Sequence, residues 1–141
     1  MPMNRALIKL FSAAHALSYR LTGGRVGRRI AGAPVLLLTT TGRKSGKRRT
    51  APLLYLEDGE NIVIVASNGG NDQHPLWWLN LKHDPEAQVQ IGKTSRRVRA
   101  ERADEQEWAR LWPLLLEMYG SYQEYQDATQ RKIPVVILRP V

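Results

Sequence analysis

The apolar residues of this chain come in short bursts, and that narrows what it can fold into. From Pro34 onward, "PVLLLTTT" (34–41), "RTAPLLYLE" (49–57), Ile62 to Val65, "EAQVQIG" (86–92), "SRRVRAERA" (95–103) and "IPVVILRP" (133–140) all have strand length. Turn residues punctuate the series, and Asp58-Gly59 and Gly92-Lys93 have the composition of tight hairpin connections. Three stretches read as helices. "PLWWLNLKHDP" begins at Pro75 and stops before Pro85. A second helix opens at Asp104, with Glu107 placed for a capping box and Pro113 expected to kink it. A short third, "SYQEYQDAT", follows Gly120, and Ser121 with Glu124 suggests another capping box. Strands and helices do not alternate strictly, so the expected fold is mainly β with α: an antiparallel six-stranded barrel with helices over its mouth.

Ahead of the barrel, residues 3 to 21 predict an amphipathic helix. Leu7, Leu10, Phe11, Ala14, Leu17 and Leu21 recur at helical spacing, with Arg5 and Lys9 on another face. The segment "TGGRVGRR" ends it. The expected division is therefore 1–32, helix and basic linker, and 33–141, barrel domain. The helix either packs on that domain or lies peripherally on an anionic membrane surface, which its basic flanks favour. No apolar run approaches the roughly 20 residues that span a bilayer. The expected location is the cytoplasm, with peripheral contact at the inner face of the cell membrane as the alternative.

The absence of cysteine rules out disulfides, thiolate metal sites and cysteine nucleophiles in one step. His15, His74 and His83 share no metal-ligand spacing, so no metal is expected. No pair of carboxylates sits in an apolar setting that would drive two pKa values apart. A reactive group borrowed from a cofactor is the economical reading if the chain is an enzyme.

Charge then points to the kind of ligand. The net charge is +8, yet its distribution says more: eleven Lys and Arg precede Glu57, the first acidic residue. Five of the seven residues from Arg43 to Arg49 are basic, in "TTTGRKSGKRRTAPL" (39–53). The turn superficially resembles a P-loop, but it joins two strands, and Arg48 stands where a hydroxyl residue should follow the lysine. What it offers is guanidinium forks, the Ser45 hydroxyl and the backbone N–H groups of Gly42 and Gly46, a set suited to a ligand with several anionic groups. Two further segments carry candidate contacts. "ASNGGNDQHPLWWLNL" brings a glycine-rich turn beside Trp77, Trp78 and a polar Asn80 that needs a partner. "MYGSYQEYQ" spaces Tyr119, Tyr122 and Tyr125 by three, which can lay amphipathic rings over a flat ligand.

Together, "TTTGRKSGKRRTAPLLYL", "VIVASNGGNDQHPLWWLNLKHDPEAQVQI", "WPLLLEMYGSYQEYQ" and "IPVVIL" resemble the deazaflavin-dependent nitroreductase family of actinobacteria, over roughly residues 33 to 139. The resemblance implies a split β-barrel and coenzyme F420, an 8-hydroxy-5-deazaflavin with a phosphodiester and an oligoglutamate tail, whose reduced form donates hydride from C5. It implies that Arg43, Lys44 and Ser45 hold the tail, and that Arg49, Thr50, Ala51, Pro52, Leu53 and Leu54 run along the deazaflavin. Val65, Ala66, Ser67, Asn68, Leu76, Trp77, Trp78, Leu79 and Asn80 would line the ring and ribityl chain, with Tyr122 closing over it. Ser67 and Tyr122 are the candidates for polarising the acceptor or relaying a proton. Asn68 departs from the lysine that relatives often carry there, which shifts phosphate binding toward Lys44 and Arg49. The implied acceptors are small electrophiles: quinones, activated enones and nitroaromatic compounds. The rival readings are an FMN-binding split-barrel enzyme, a basic nucleic-acid-binding barrel, and a cofactor carrier without reductase activity.

Overall fold

The computed structural model describes residues 14–20, 22, 29–30 and 32–141. Eight strands form a single sheet: β1 (Arg29–Ile30), β2 (Ala33–Thr41), β3 (Arg48–Leu54), β4 (Leu56–Asp58), β5 (Asn61–Val65), β6 (Glu86–Ile91), β7 (Thr94–Arg102) and β8 (Val135–Pro140). The helices are α1 (residues 14–20, continuing at 22), α2 (Leu76–His83), α3 (Glu105–Met118) and α4 (Ser121–Asp127). All ladders are antiparallel, in the order β1-β2-β6-β7-β8-β5-β4, with β3 on the other edge of β2.

Closure into a barrel comes from the chain itself. β3 lies at one end of the path and β4 at the other, and only Tyr55 separates them. The Tyr55 N–H donates to Pro34 O at 3.2 Å and its side chain is buried in the interior. The chain therefore leaves β2 and joins β5 within one residue, which curls the two ends of the sheet together. Each expected strand is present; "RTAPLLYLE" is divided at this bend, and the short β1 is an addition to the expected six.

Period-two alternation sorts the side chains. Leu36 and Leu38 of β2, Ile62 and Ile64 of β5, and Val136 and Leu138 of β8 fill the barrel together with Trp77, Trp78 and Leu81 of α2, which plugs its mouth. Val63, Val135 and Ile137 face outward against Leu111, Trp112 and Leu115 of α3 and Tyr122 of α4. Gly59 and Gly92 open the two expected hairpin loops with φ of 62° and 60°, a left-handed conformation that glycine adopts without a steric penalty.

Capping differs between the two later helices. Asp104 and Glu107 make the predicted reciprocal box, with Glu107 N–H donating to Asp104 Oδ1 at 2.8 Å. Helix α3 then runs through Pro113 to Met118. The Ser121 box does not form: Ser121 is the first helical residue of α4, and Gly120 occupies the cap position. Tyr122 and Gln123 N–H instead donate to the carbonyls of Tyr119 and Gly120, so the backbone of the preceding turn satisfies these donors.

Of the expected amino-terminal helix, Leu7, Leu10, Phe11 and Leu21 lie outside the described residues, as do Arg5, Lys9 and most of the basic linker. The described part packs on the outer face of β2 through Ala16 and Tyr19, against Val35 and Leu37. This is not the predicted face: Ala14 is exposed and Leu17 is 56% exposed. Tyr19 is fully buried because its phenol has a partner, the Gly92 N–H, which donates to it at 2.7 Å. Tyr19→Phe should cost about 1 kcal/mol through the lost hydrogen bond, and Tyr19→Ala about 3 to 5 kcal/mol through the cavity left behind. Denaturant unfolding checks both; an unchanged midpoint in Tyr19→Ala means the helix contributes nothing to the domain.

Candidate active site

A cavity of about 860 Å³ opens between the β2–β3 turn, β3, the Ser67–Gly69 loop, α1 and α2. Its construction starts at the turn. Gly42 N–H donates to Lys47 O and Gly46 N–H to Gly42 O, both at 2.8 Å, and Lys47 N–H donates to Ser45 Oγ at 3.1 Å. The glycine N–H groups expected to meet a ligand are therefore spent on closing the turn. A Cβ at Gly42 would lie 2.8 Å from Ser45 Oγ and 3.2 Å from Lys47 O, so this compact closure has no room for a larger residue. Arg43, Lys44, Arg48 and Arg49 stand on the result and line the cavity, and Arg48 is steadied by donating to Thr41 Oγ1 at 3.1 Å.

Asn80 finds its partner within the protein. Buried at the end of the cavity-facing stretch of α2, it accepts from Arg43 N–H through Oδ1 and donates from Nδ2 to Thr40 Oγ1, each at 3.1 Å. One amide thereby joins α2 to β2 and to the first residue of the cationic turn. From Arg49 to Leu53, β3 takes four strand steps, roughly 13 Å, and the lining changes from cationic to apolar: Thr50, Ala51, Pro52 and Leu53, faced by Val65, Leu76 and Trp77. The cavity is thus charged at the turn and greasy along the strand.

Of the expected site residues, Arg43, Lys44, Ser45, Arg49, Thr50, Ala51, Pro52, Leu53, Val65, Ser67, Asn68, Leu76, Trp77 and Asn80 come together around this one cavity. Leu54, Ala66, Trp78 and Leu79 do not line it. Ala66 and Trp78 belong to the barrel interior, and Leu54 packs between the sheet and the outer helices. Tyr122 is not on the wall either. Its ring is buried in the cluster beneath α3 and α4, 5.0 Å from the Tyr119 ring and 6.4 Å from those of Trp112 and Tyr125. Burial pushes its phenol far above the usual tyrosine range, and the neighbouring Tyr119 and Tyr125 add to the shift. Burial and a 3.0 Å hydrogen bond with the Tyr119 hydroxyl push Tyr125 up to about 12. These phenols hold their protons at neutral pH, and Tyr122 packs in the outer core without lining the cavity.

Thr40, Gly42, Arg48, Gly69 and Pro75 also line the cavity, as do Ala16, Leu17 and Arg20 of α1. Arg48 sits inside the basic run and was readable from it. The α1 residues carry no local signal, because only tertiary docking brings them to the mouth. Among the described residues, no helix is long and apolar enough to cross a membrane.

The family model for F420H(2)-dependent quinone reductases matches residues 12–140. The chain belongs to that family. It is an oxidoreductase, with the reduced deazaflavin coenzyme F420 as hydride donor. An F420H(2)-dependent quinone reductase of Mycobacterium tuberculosis is 43% identical over 128 residues, 88% of this chain and 86% of that protein. A solved F420-H2 dependent reductase is 41% identical with a TM-score of 0.70, covering 75% of this chain and 94% of the other. A heme storage protein from Vibrio cholerae reaches a TM-score of 0.60 at 13% identity, over 76% of this chain and 81% of its own. That last likeness concerns the split β-barrel alone, a scaffold whose cofactor is set by the site and not by the fold. The residues present suit the deazaflavin coenzyme: a cationic turn at one end for an anionic tail, and an apolar strand wall with Trp77 for a flat ring system.

Two measurements test this construction. Asn80→Ala leaves the Arg43 N–H and the buried Thr40 hydroxyl without their partner, and should cost about 2 kcal/mol in an unfolding titration while weakening coenzyme binding. His74 is held below its usual pKa by burial first, then by the charges of Arg131, Lys82 and Arg102. The unfolded chain takes that proton first as pH falls, so the stability His74 contributes is present above about 6.5, its ordinary value, and is lost as pH falls through the folded value. Thermal midpoints across this window should therefore decline in the parent more than in His74→Gln; parallel curves would contradict the assignment.

Proposed function

We propose that this chain reduces quinones, and secondarily activated enones and nitroaromatic compounds, with hydride taken from reduced F420 in the cavity between β3 and α2. The supporting observation is the polarity of that cavity, cationic at the β2–β3 turn and apolar from Pro52 to Trp77. When bound, the reduced deazaflavin supplies the hydride from C5. The chain's own residues do the rest. Arg43, Lys44, Arg48 and Arg49 neutralise the anionic tail and set the register of the ligand along β3. Pro52, Leu53, Val65 and Trp77 exclude water from the ring, which strengthens polar interactions there. The Ser67 hydroxyl, at the wall where the strand ends, orients the acceptor oxygen as charge develops on it. Quinone reduction to the hydroquinone consumes one hydride and one proton, and the proton comes from solvent at the open mouth.

That mouth favours an apolar electrophile. Leu17 and Leu76 line it at 56% and 44% exposure and give it an apolar rim. Membrane contact through the amino-terminal segment remains a separate proposal, resting on the basic and apolar residues before Ala14.

Fluorescence titration decides the cofactor reading. F420 should bind at least about tenfold more tightly than FMN, and its affinity should fall as salt is raised, because several exposed cations hold the tail. Reduced F420 should then be oxidised by a soluble quinone in stopped flow. Equal binding of FMN, or absence of F420 binding at low salt, overturns the proposal.

A further inference from the structure

The Ser67–Gly69 wall of the cavity is an improbable piece of backbone. Asn68, Gly69 and Gly70 are three consecutive residues in left-handed conformation, with φ of 49°, 62° and 83°, and a non-glycine residue there carries a conformational cost. Its internal hydrogen bonds are Gly70 N–H to Ser67 O at 3.0 Å, Asn71 N–H to Asn68 O at 3.2 Å, Asn71 Nδ2 to Asn68 O at 2.9 Å and Asn68 Nδ2 to Gln73 O at 3.0 Å. Something outside the loop has to hold it.

Arg131, in the segment between α4 and β8, reaches across to it with nearly every donor it has. Nη1 donates to Ala66 O at 3.2 Å, Nη2 to Ser67 O at 2.9 Å and Nε to Asn71 O at 2.9 Å, and Nη1 lies 3.3 Å from His74 Nδ1. No carboxylate makes an ion pair with Arg131 among the described residues. The guanidinium is half-buried and is satisfied by backbone carbonyls at both ends of the wall. Arg131 is itself fixed from behind, since Gln126 of α4 donates to its carbonyl at 2.8 Å and accepts from Ile133 N–H at 2.9 Å. Helix α4 also presses on the loop directly: a Cβ on Gly70 would lie 3.2 Å from Tyr125 Cα.

We infer that Arg131 is a positioning residue for the reaction: its guanidinium fork fixes the Ala66–Asn71 backbone and thereby sets where the Ser67 hydroxyl and the Asn68–Gly69 edge stand in the cavity. Nothing in the sequence reading singled it out. A lysine cannot replace it, because one ammonium is a point charge and cannot serve three carbonyls in a planar fork. The inference also gives the tyrosine helix a role that its burial allows. Helix α4 acts on the site through Arg131 and Gly70, not by touching the ligand.

This assignment rests on the deazaflavin-site reading, and the experiment separates the two. In the full-length chain, Arg131→Lys and Arg131→Ala are compared with the parent by thermal unfolding, F420 titration, quinone turnover, and hydrogen–deuterium exchange of the peptide spanning residues 66–73. Arg131→Lys should keep its thermal midpoint close to the parent while exchange in that peptide rises about tenfold. Its kcat should fall about tenfold, with KM for the quinone nearly unchanged. Ethylguanidinium at millimolar concentration should restore turnover to Arg131→Ala, and ethylammonium should not. Parent-like exchange and kcat in Arg131→Lys overturn the inference. So does an Arg131→Ala variant that folds, loses turnover and is deaf to ethylguanidinium. Should Arg131→Ala fail to fold, the exchange and kcat of Arg131→Lys decide. If the parent itself binds no F420, the functional reading fails, and the exchange data alone then judge whether Arg131 holds the wall.

Discussion

Strand β2 has to be buried on both faces, and most of the molecule follows from that requirement. Leu36 and Leu38 point into the barrel, while Val35 and Leu37 point outward, so the barrel contents cover one face and α1 must cover the other. The strand also pairs along both edges, with β3 on one and β1 and β6 on the other. Of its last residues, Thr39 to Thr41, Thr40 lines the cavity, and all three hydroxyls have partners. Thr39 meets the Thr50 hydroxyl at 2.9 Å, Thr40 accepts from Asn80, and Thr41 accepts from Arg48. The same strand is thus core at its beginning and reaches the cavity at Thr40 near its end, where three threonines follow three leucines.

The functional chemistry has the same economy. The cavity offers cations, an apolar slot and the Ser67 hydroxyl, and the redox chemistry is the coenzyme's. A protein so arranged depends on geometry more than on tuned acids. The largest pKa displacements fall on the buried tyrosines Tyr122 and Tyr125, away from the cavity.

How much of this was legible beforehand depends on whether the signal was local. The strands, the Gly59 and Gly92 hairpins, α2 between its prolines and the Asp104 box were all readable, since each is dictated by neighbours within a few residues. The cationic turn was readable as a run of basic residues, and its side chains do line the cavity, although its glycine amides proved to be internal to the turn. Ser121 misled because a serine followed by a glutamate has the look of a cap wherever a helix starts, and here Tyr119 and Gly120 carbonyls had already taken the donors. Tyr122 misled for a different reason. Its spacing with Tyr119 and Tyr125 was right, and their rings do meet, but a helix periodicity does not say which neighbour the shared face will cover. Arg131 had no signal at all: its partners are the carbonyls of Ala66, Ser67 and Asn71, and backbone carbonyls leave no trace in a sequence.

The cavity is walled by parts that are anchored independently. Leu17 and Arg20 are carried by α1, whose anchor is Tyr19 at the β6–β7 hairpin. Arg43 to Arg49 are carried by the β2–β3 turn, whose anchor is Asn80. Among the described residues the two anchors share no hydrogen bond. Free-energy changes at sites without shared partners tend to sum. The α1 side of the cavity and the cationic turn can therefore drift separately through sequence. For a family that keeps one coenzyme, such separability lets one side of the cavity change while the other is kept.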